Sequence, residues 1–157
     1  MAKIYGVEIK TYKGFMGMDN MAFTANLYMD DSKIGTVSNE GYGGSNNIVF
    51  NTEESEKAFR TRVKQYFDKY PHQFASADWF INELLELQEF ERLFKEESKK
   101  GRGILMVMRY NQRVGKFDPR KDVLVALDNI REIPLLLKKY EPKEHQIYKE
   151  LSDFVIE

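Results

Sequence analysis

The feature that most constrains this chain is a change of hydrophobic period near residue 51. Before it, apolar residues recur at every second position, the rhythm of half-buried strands. Val7, Ile9 and Thr11 share one face with Glu8 and Lys10 on the other, and Phe23, Ala25, Leu27 and Met29 repeat the pattern. Asp30-Asp31-Ser32-Lys33 supplies turn chemistry before Ile34, Thr36 and Ser38, so a hairpin is expected there. Ile48-Val49-Phe50 adds a short fourth strand. Beyond it the period lengthens: Phe59, Val63, Phe67 and Tyr70 predict a helix over about 52–69, with Asn51 and Glu54 spaced as a cap and its acidic partner.

Pro71 closes that helix and Ser76 is placed to cap the next. Phe80, Leu84, Leu87 and Phe94 line one face of a longer helix that runs to Lys99 and stops at Gly101. Ile104 to Met108 is apolar without alternation, which predicts a strand covered on both faces. Val114 to Phe117 is expected to pair with it across the Asn111-Gln112 turn. The segment 119–128 has two mechanisms open to it. Asp118-Pro119 would start a helix, but Val123-Leu124-Val125-Ala126-Leu127 is short and rich in β-branched residues, and the strand is preferred. A helix over about 130–140 ends in Lys138-Lys139, Pro142 forbids its continuation, and His145–Tyr148 with Phe154–Ile156 return as an edge strand.

The expected fold is α+β: an N-terminal antiparallel sheet packed against two amphipathic helices, followed by a smaller β-rich segment with one helix. At 157 residues the chain is read as a single α+β domain, 1–51 β-rich, 52–100 helical and 101–157 mixed, or as two tightly joined halves. Apolar residues at 42%, with 11 Phe and 9 Tyr, suffice for a core. MAKIYGVEIK lacks the continuous apolar stretch of a signal peptide, and no apolar run approaches the ~20 residues of a membrane span. With no Cys, disulfides and thiol chemistry are excluded, and a cytoplasmic setting is expected.

The formal charge of −1 removes the global argument for a dedicated nucleic-acid binder. Two local features stand out instead. The loop Gly41-Tyr42-Gly43-Gly44-Ser45-Asn46 invites a phosphate-cradle reading, but it runs from strand to strand and no Gly-Lys-Ser/Thr follows. The preferred reading is a protein-recognition loop, with Tyr42 as a rigid aromatic contact and Ser45, Asn46 and Asn47 as adaptable hydrogen-bonding groups. The stretch from Lys99 to Lys121 is basic, and a projecting hairpin carrying Arg109, Arg113 and Lys116 would suit a phosphate backbone. Asp78 to Glu97 is acidic, and the opposed patches would suit a charged protein partner or a head-to-tail homodimer. No catalytic constellation emerges: His72 and His145 sit beside Pro71 and near Pro142, without triad or metal spacing. No metal and no cofactor is expected.

From Ile4 to Phe50, the Lys13-Gly14 turn, the Asp30-Asp31-Ser32-Lys33-Ile34-Gly35 hairpin and the Val37-Ser38-Asn39-Glu40-Gly41-Tyr42-Gly43-Gly44 segment resemble small uncharacterised proteins of phages and mobile elements of Gram-positive bacteria. The resemblance implies a non-enzymatic accessory protein that binds a host macromolecule, including as an inhibitor of a host defence system. A host protein is the expected partner. The alternative is a nucleic-acid or nucleotide binder using the basic segment 99–121.

Overall fold

The computed structural model describes residues 1–16, 21–109, 123–142 and 144–157. Among them, nine strands in two sheets and three α-helices make an α+β fold, as the change of period predicts. The chain divides within α2 (Ala77–Lys99) into two compact units, Lys3–Leu85 with Glu157, and Met1–Ala2 with Glu86–Ile156. No described helix is long and apolar enough to cross a membrane.

In the first unit, β1 (Lys3–Ile4), β2 (Val7–Met16), β3 (Met21–Met29), β4 (Ser32–Asn39) and β5 (Asn47–Phe50) form an antiparallel meander in the order β5-β4-β3-β2-β1. Its two tight turns, Tyr5-Gly6 and Asp30-Asp31, have positive φ at both central residues, the primed-turn geometry whose twist matches paired strands. Val7, Ile9, Ala25 and Leu27 are buried, as the alternation requires, but on β4 an irregularity beside Ile34 reverses the expected phase, so that Val37 is buried and Thr36 is exposed. Phe50 meets Phe59 of α1 (Glu53–Lys69) at 5.4 Å between ring centroids, and Phe80 of α2 makes edge contacts with Phe59 and Tyr66 at 5.6 and 5.5 Å. Full burial of each such ring contributes about 1.5–3 kcal/mol.

Three further details depart from the sequence reading. Thr11 is not on the buried face, because a bulge between Lys10 and Lys13 places it at φ 56 and exposes it. Glu8 lies on the polar side of the alternation yet is 1% exposed, with Oε1 3.3 Å from Lys10 Nζ and 3.6 Å from Lys3 Nζ. The cap of α1 is Thr52, not Asn51: Thr52 Oγ1 accepts the Ser55 N–H at 3.1 Å, while Asn51 Nδ2 donates to the Lys33 carbonyl. The cap of α2 is as expected, Ser76 Oγ accepting the Trp79 N–H at 3.1 Å. Its C-terminus closes where Gly101 adopts φ +85 and Arg102 donates its N–H to the Glu97 carbonyl.

In the second unit, β6 (Ile104–Arg109) lies between β7 (Val123–Leu127) and β8 (Glu144–Tyr148), antiparallel to both. The unalternating apolar run is therefore a central strand. Met106 and Met108 pack with Leu127 and with Ile133 of α3 (Ile133–Tyr140), while Leu105 and Val107, on the other face, are equally buried. The segment 123–127 is a strand because its β-branched side chains complete that layer, Val125 opposite Met106. The single edge strand expected at the end is instead β8, a 3₁₀ turn over Leu151–Phe154, and the short β9 (Val155–Ile156). Asp153 stabilises that turn by accepting the N–H groups of Lys149 and Glu150. The expected pairing of Val114–Phe117 lies outside the described residues.

Candidate functional site

The loop joining β4 to β5 is closed from within by Asn39. This side chain is 9% exposed at the end of β4; its Oδ1 accepts the Gly41 N–H at 2.8 Å, and its Nδ2 donates to the Gly44 carbonyl at 3.0 Å and to Asn46 Oδ1 at 3.2 Å. The arrangement is an Asx turn, a side chain standing in for a backbone turn. Gly41 and Gly43 sit at φ 81 and 83, which a side chain would disfavour.

Asn46 fastens the loop to the start of α2. Its N–H donates to Asp78 Oδ1 at 2.7 Å and its Nδ2 to Asn82 Oδ1 at 2.8 Å. The side chain expected to be an adaptable contact is thus committed internally. Tyr42 is left 63% exposed on a backbone with defined hydrogen bonds at both ends. Ser38, Asn39, Glu40, Tyr42, Gly44, Ser45 and Asn47 line a polar cavity of about 210 Å³ beside it.

The loop residues singled out from sequence therefore come together in one closed turn. Arg109 belongs to the second unit and differs from the expectation of a projecting cation. It is 7% exposed and pairs with Glu86 of α2; burial by itself would lower the guanidinium pKa, but the charge and hydrogen bond of Glu86, with Glu144 and Tyr148 adding to them, raise it. The reason is positional, since Arg109 ends the central strand β6 and its side chain meets the helix rather than water. Arg113 and Lys116 lie outside the described residues.

Nor is the acidic stretch of α2 a bare negative face. Arg92 bonds Glu89 and Glu96, Lys95 pairs with Glu91, and Glu97 takes both Lys100 and Arg102. Glu83 accepts the Trp79 Nε1–H at 3.0 Å and the Tyr66 hydroxyl. The expected opposition of basic and acidic patches is in part an internal pairing of the two.

His72 stacks on Trp79 at 4.5 Å between centroids and its Nδ1 accepts the Phe74 N–H, which makes it part of an aromatic cluster at the α1–α2 connection. His145 is exposed on β8. Among the described residues no group of three His, Asp or Glu side chains is placed to hold a metal ion. The residues that sequence reasoning missed are Asn39, Asp78 and Asn82. Asn39, two positions before a glycine at a strand end, carries the Asx-turn signal; nothing local to Asp78 or Asn82 announces a partner in the loop. The chain matches no known protein family, no curated protein and no solved structure.

Proposed function

We propose that this chain is a non-enzymatic recognition protein that binds a host protein through the Gly41–Asn46 loop. The resemblance of its N-terminal third to phage and mobile-element proteins supplies the setting, in which blocking a defence system is the natural use of such binding. The observation that carries the reading is Tyr42, 63% exposed on a loop whose ends are clamped by Asn39 and Asn46. An exposed aromatic on a loop whose backbone is fixed before binding spares the cost of ordering that loop on association, which suits a binding hot spot.

The test is capture of partners from host lysate by the tagged chain, with and without nuclease, compared with Tyr42→Ala. Capture should survive nuclease. The substitution should weaken it at least about tenfold while leaving the melting temperature nearly unchanged. Capture that disappears with nuclease would favour the nucleic-acid alternative, and a large fall in melting temperature would reassign Tyr42 to the fold.

A further inference from the structure

The edge of the first unit's sheet extends from this loop. Asn51 donates its N–H to the Ile34 carbonyl at 2.8 Å, and β5 pairs with β4 through Ser38↔Asn47 and Thr36↔Val49 without a register shift. In an antiparallel ladder the bonding direction alternates by residue. Asn47 and Val49 therefore turn their N–H and C=O groups toward β4, while Ile48 and Phe50 turn theirs to the outer edge. Of the devices that usually protect an edge, β5 has only shortness, at four residues: it carries no charge, no proline and no bulge, and Val49 is 57% exposed.

Between Lys33 and Lys57, which bracket this edge in the sequence, the only charges are negative. From Ile34 to Glu56 there is no Lys or Arg, and four carboxylates, Glu40, Glu53, Glu54 and Glu56, are present. Only Glu56 has an ion-pair partner among the described residues, Arg60. Glu40 lines the loop cavity with Tyr42, and Glu53 and Glu54 open α1 just beyond β5.

We propose that β5 accepts an extended, basic segment of the partner protein as an added strand, with Tyr42 packing at its end. This rests on the reading of the chain as a protein-recognition module and names the chemistry of what it recognises. Backbone bonds from Ile48 and Phe50 supply a sequence-independent part of the affinity, and the carboxylates select cationic side chains.

The probe is a synthetic Lys-Val repeat peptide of about eight residues, a common strand length, titrated into the full-length isotope-labelled chain beside a matched Glu-Val peptide. The Lys-Val peptide should slow hydrogen exchange at the Ile48 and Phe50 amides, and the effect should fade as salt is raised to about 0.15 M, where screening sets in within ~8 Å. The Glu-Val peptide should leave those amides unchanged. Val49→Lys should weaken the response about tenfold and Val49→Glu should preserve it, both with little change in melting temperature because the position is exposed. Unaltered exchange at Ile48 and Phe50, equal responses to the two peptides, or a homodimer that Val49→Lys dissolves would overturn the proposal. If Tyr42→Ala abolishes capture of the partner and Val49→Lys does not, strand addition fails while protein recognition stands; capture lost to nuclease removes both.

Discussion

Arg62 of α1 holds Asp30 with both arms of its guanidinium, Nη2 to Oδ2 at 2.5 Å and Nη1 to Oδ1 at 3.0 Å, and Nη1 also reaches the Tyr5 carbonyl at 2.5 Å. One cation thus ties the two primed turns of the sheet to the helix above them. Asp30 also donates its N–H to the Gly6 carbonyl, so the turns are joined directly as well.

A pH dependence follows from this contact. The hydrogen bonds from Arg62 hold the Asp30 carboxyl below its ordinary value of 3.8. A depressed carboxyl stabilises the fold in full above that value and loses its contribution as pH falls through the folded-state pKa. Asp30→Asn should lower the melting temperature at neutral pH by an amount equivalent to about 1 kcal/mol or less, since the pair is largely solvated. The gap between variant and parent should close as pH falls below 3.8. A gap that persists unchanged into acid would show that Asp30 acts through the turn alone.

Gly35 fixes how closely β5 approaches β4. A Cβ there would collide with the Val49 carbonyl oxygen, a backbone atom that cannot rotate away. Gly35→Ala should therefore cost about 1–3 kcal/mol and displace β5. Hydrogen exchange at Val49, protected in the parent by β4, should accelerate more than exchange at Leu27. An alanine variant with full stability and unchanged exchange would mean that the two strands separate at no cost.

The two hydrophobic periods made most of the architecture legible. Alternation locates β2 and β3, the turn residues 30–33 and the short apolar run 48–50 locate β4 and β5, three-to-four spacing locates α1 and α2, and the uniform run 104–108 is a central strand because both of its faces are covered. Where local rules met tertiary demands, the tertiary demands won. Thr11 was drawn out of register by a bulge, and Thr52 displaced Asn51 as the cap once Asn51 was occupied by Lys33. Charge was the least legible property. Counted along the chain, 99–121 is basic and 78–97 acidic, but Arg109 pairs with Glu86 and both Lys100 and Arg102 pair with Glu97, so the excesses offset one another. The loop was recognisable from its glycines, whereas its attachment to Asp78 and Asn82 depends on contacts more than thirty residues apart.

The Arg109–Glu86 pair should behave as a buried ion pair. Arg109→Met alone takes from the Glu86 carboxylate the guanidinium it pairs with, in a site where Tyr148 is also buried, its hydroxyl donating to Gln146 Oε1 at 2.8 Å and its pKa raised by that burial. The expected loss is about 3–5 kcal/mol by chemical denaturation. Arg109→Met with Glu86→Leu should recover most of it, because replacing both charges removes the desolvation cost as well as the attraction. A double variant as unstable as the single would show that the pair is a net source of stability rather than a satisfied burial.

Nucleic-acid binding separates the two functional readings, and Arg109 must be left out of the test because its loss is a folding defect. Lys99, Arg113 and Lys116 are the appropriate cations. If the basic segment held a phosphate backbone, replacing these three with Gln would flatten the salt dependence of binding by about one unit in log–log slope per lost contact. The neutral total charge and the internal use of Lys100, Arg102 and Arg109 argue for another outcome. No appreciable retention of duplex DNA is expected in a gel shift at physiological salt, and the triple substitution should change nothing there. Tight retention that weakens steeply with salt and is relieved by the three substitutions would transfer the function from the Tyr42 loop to the basic segment.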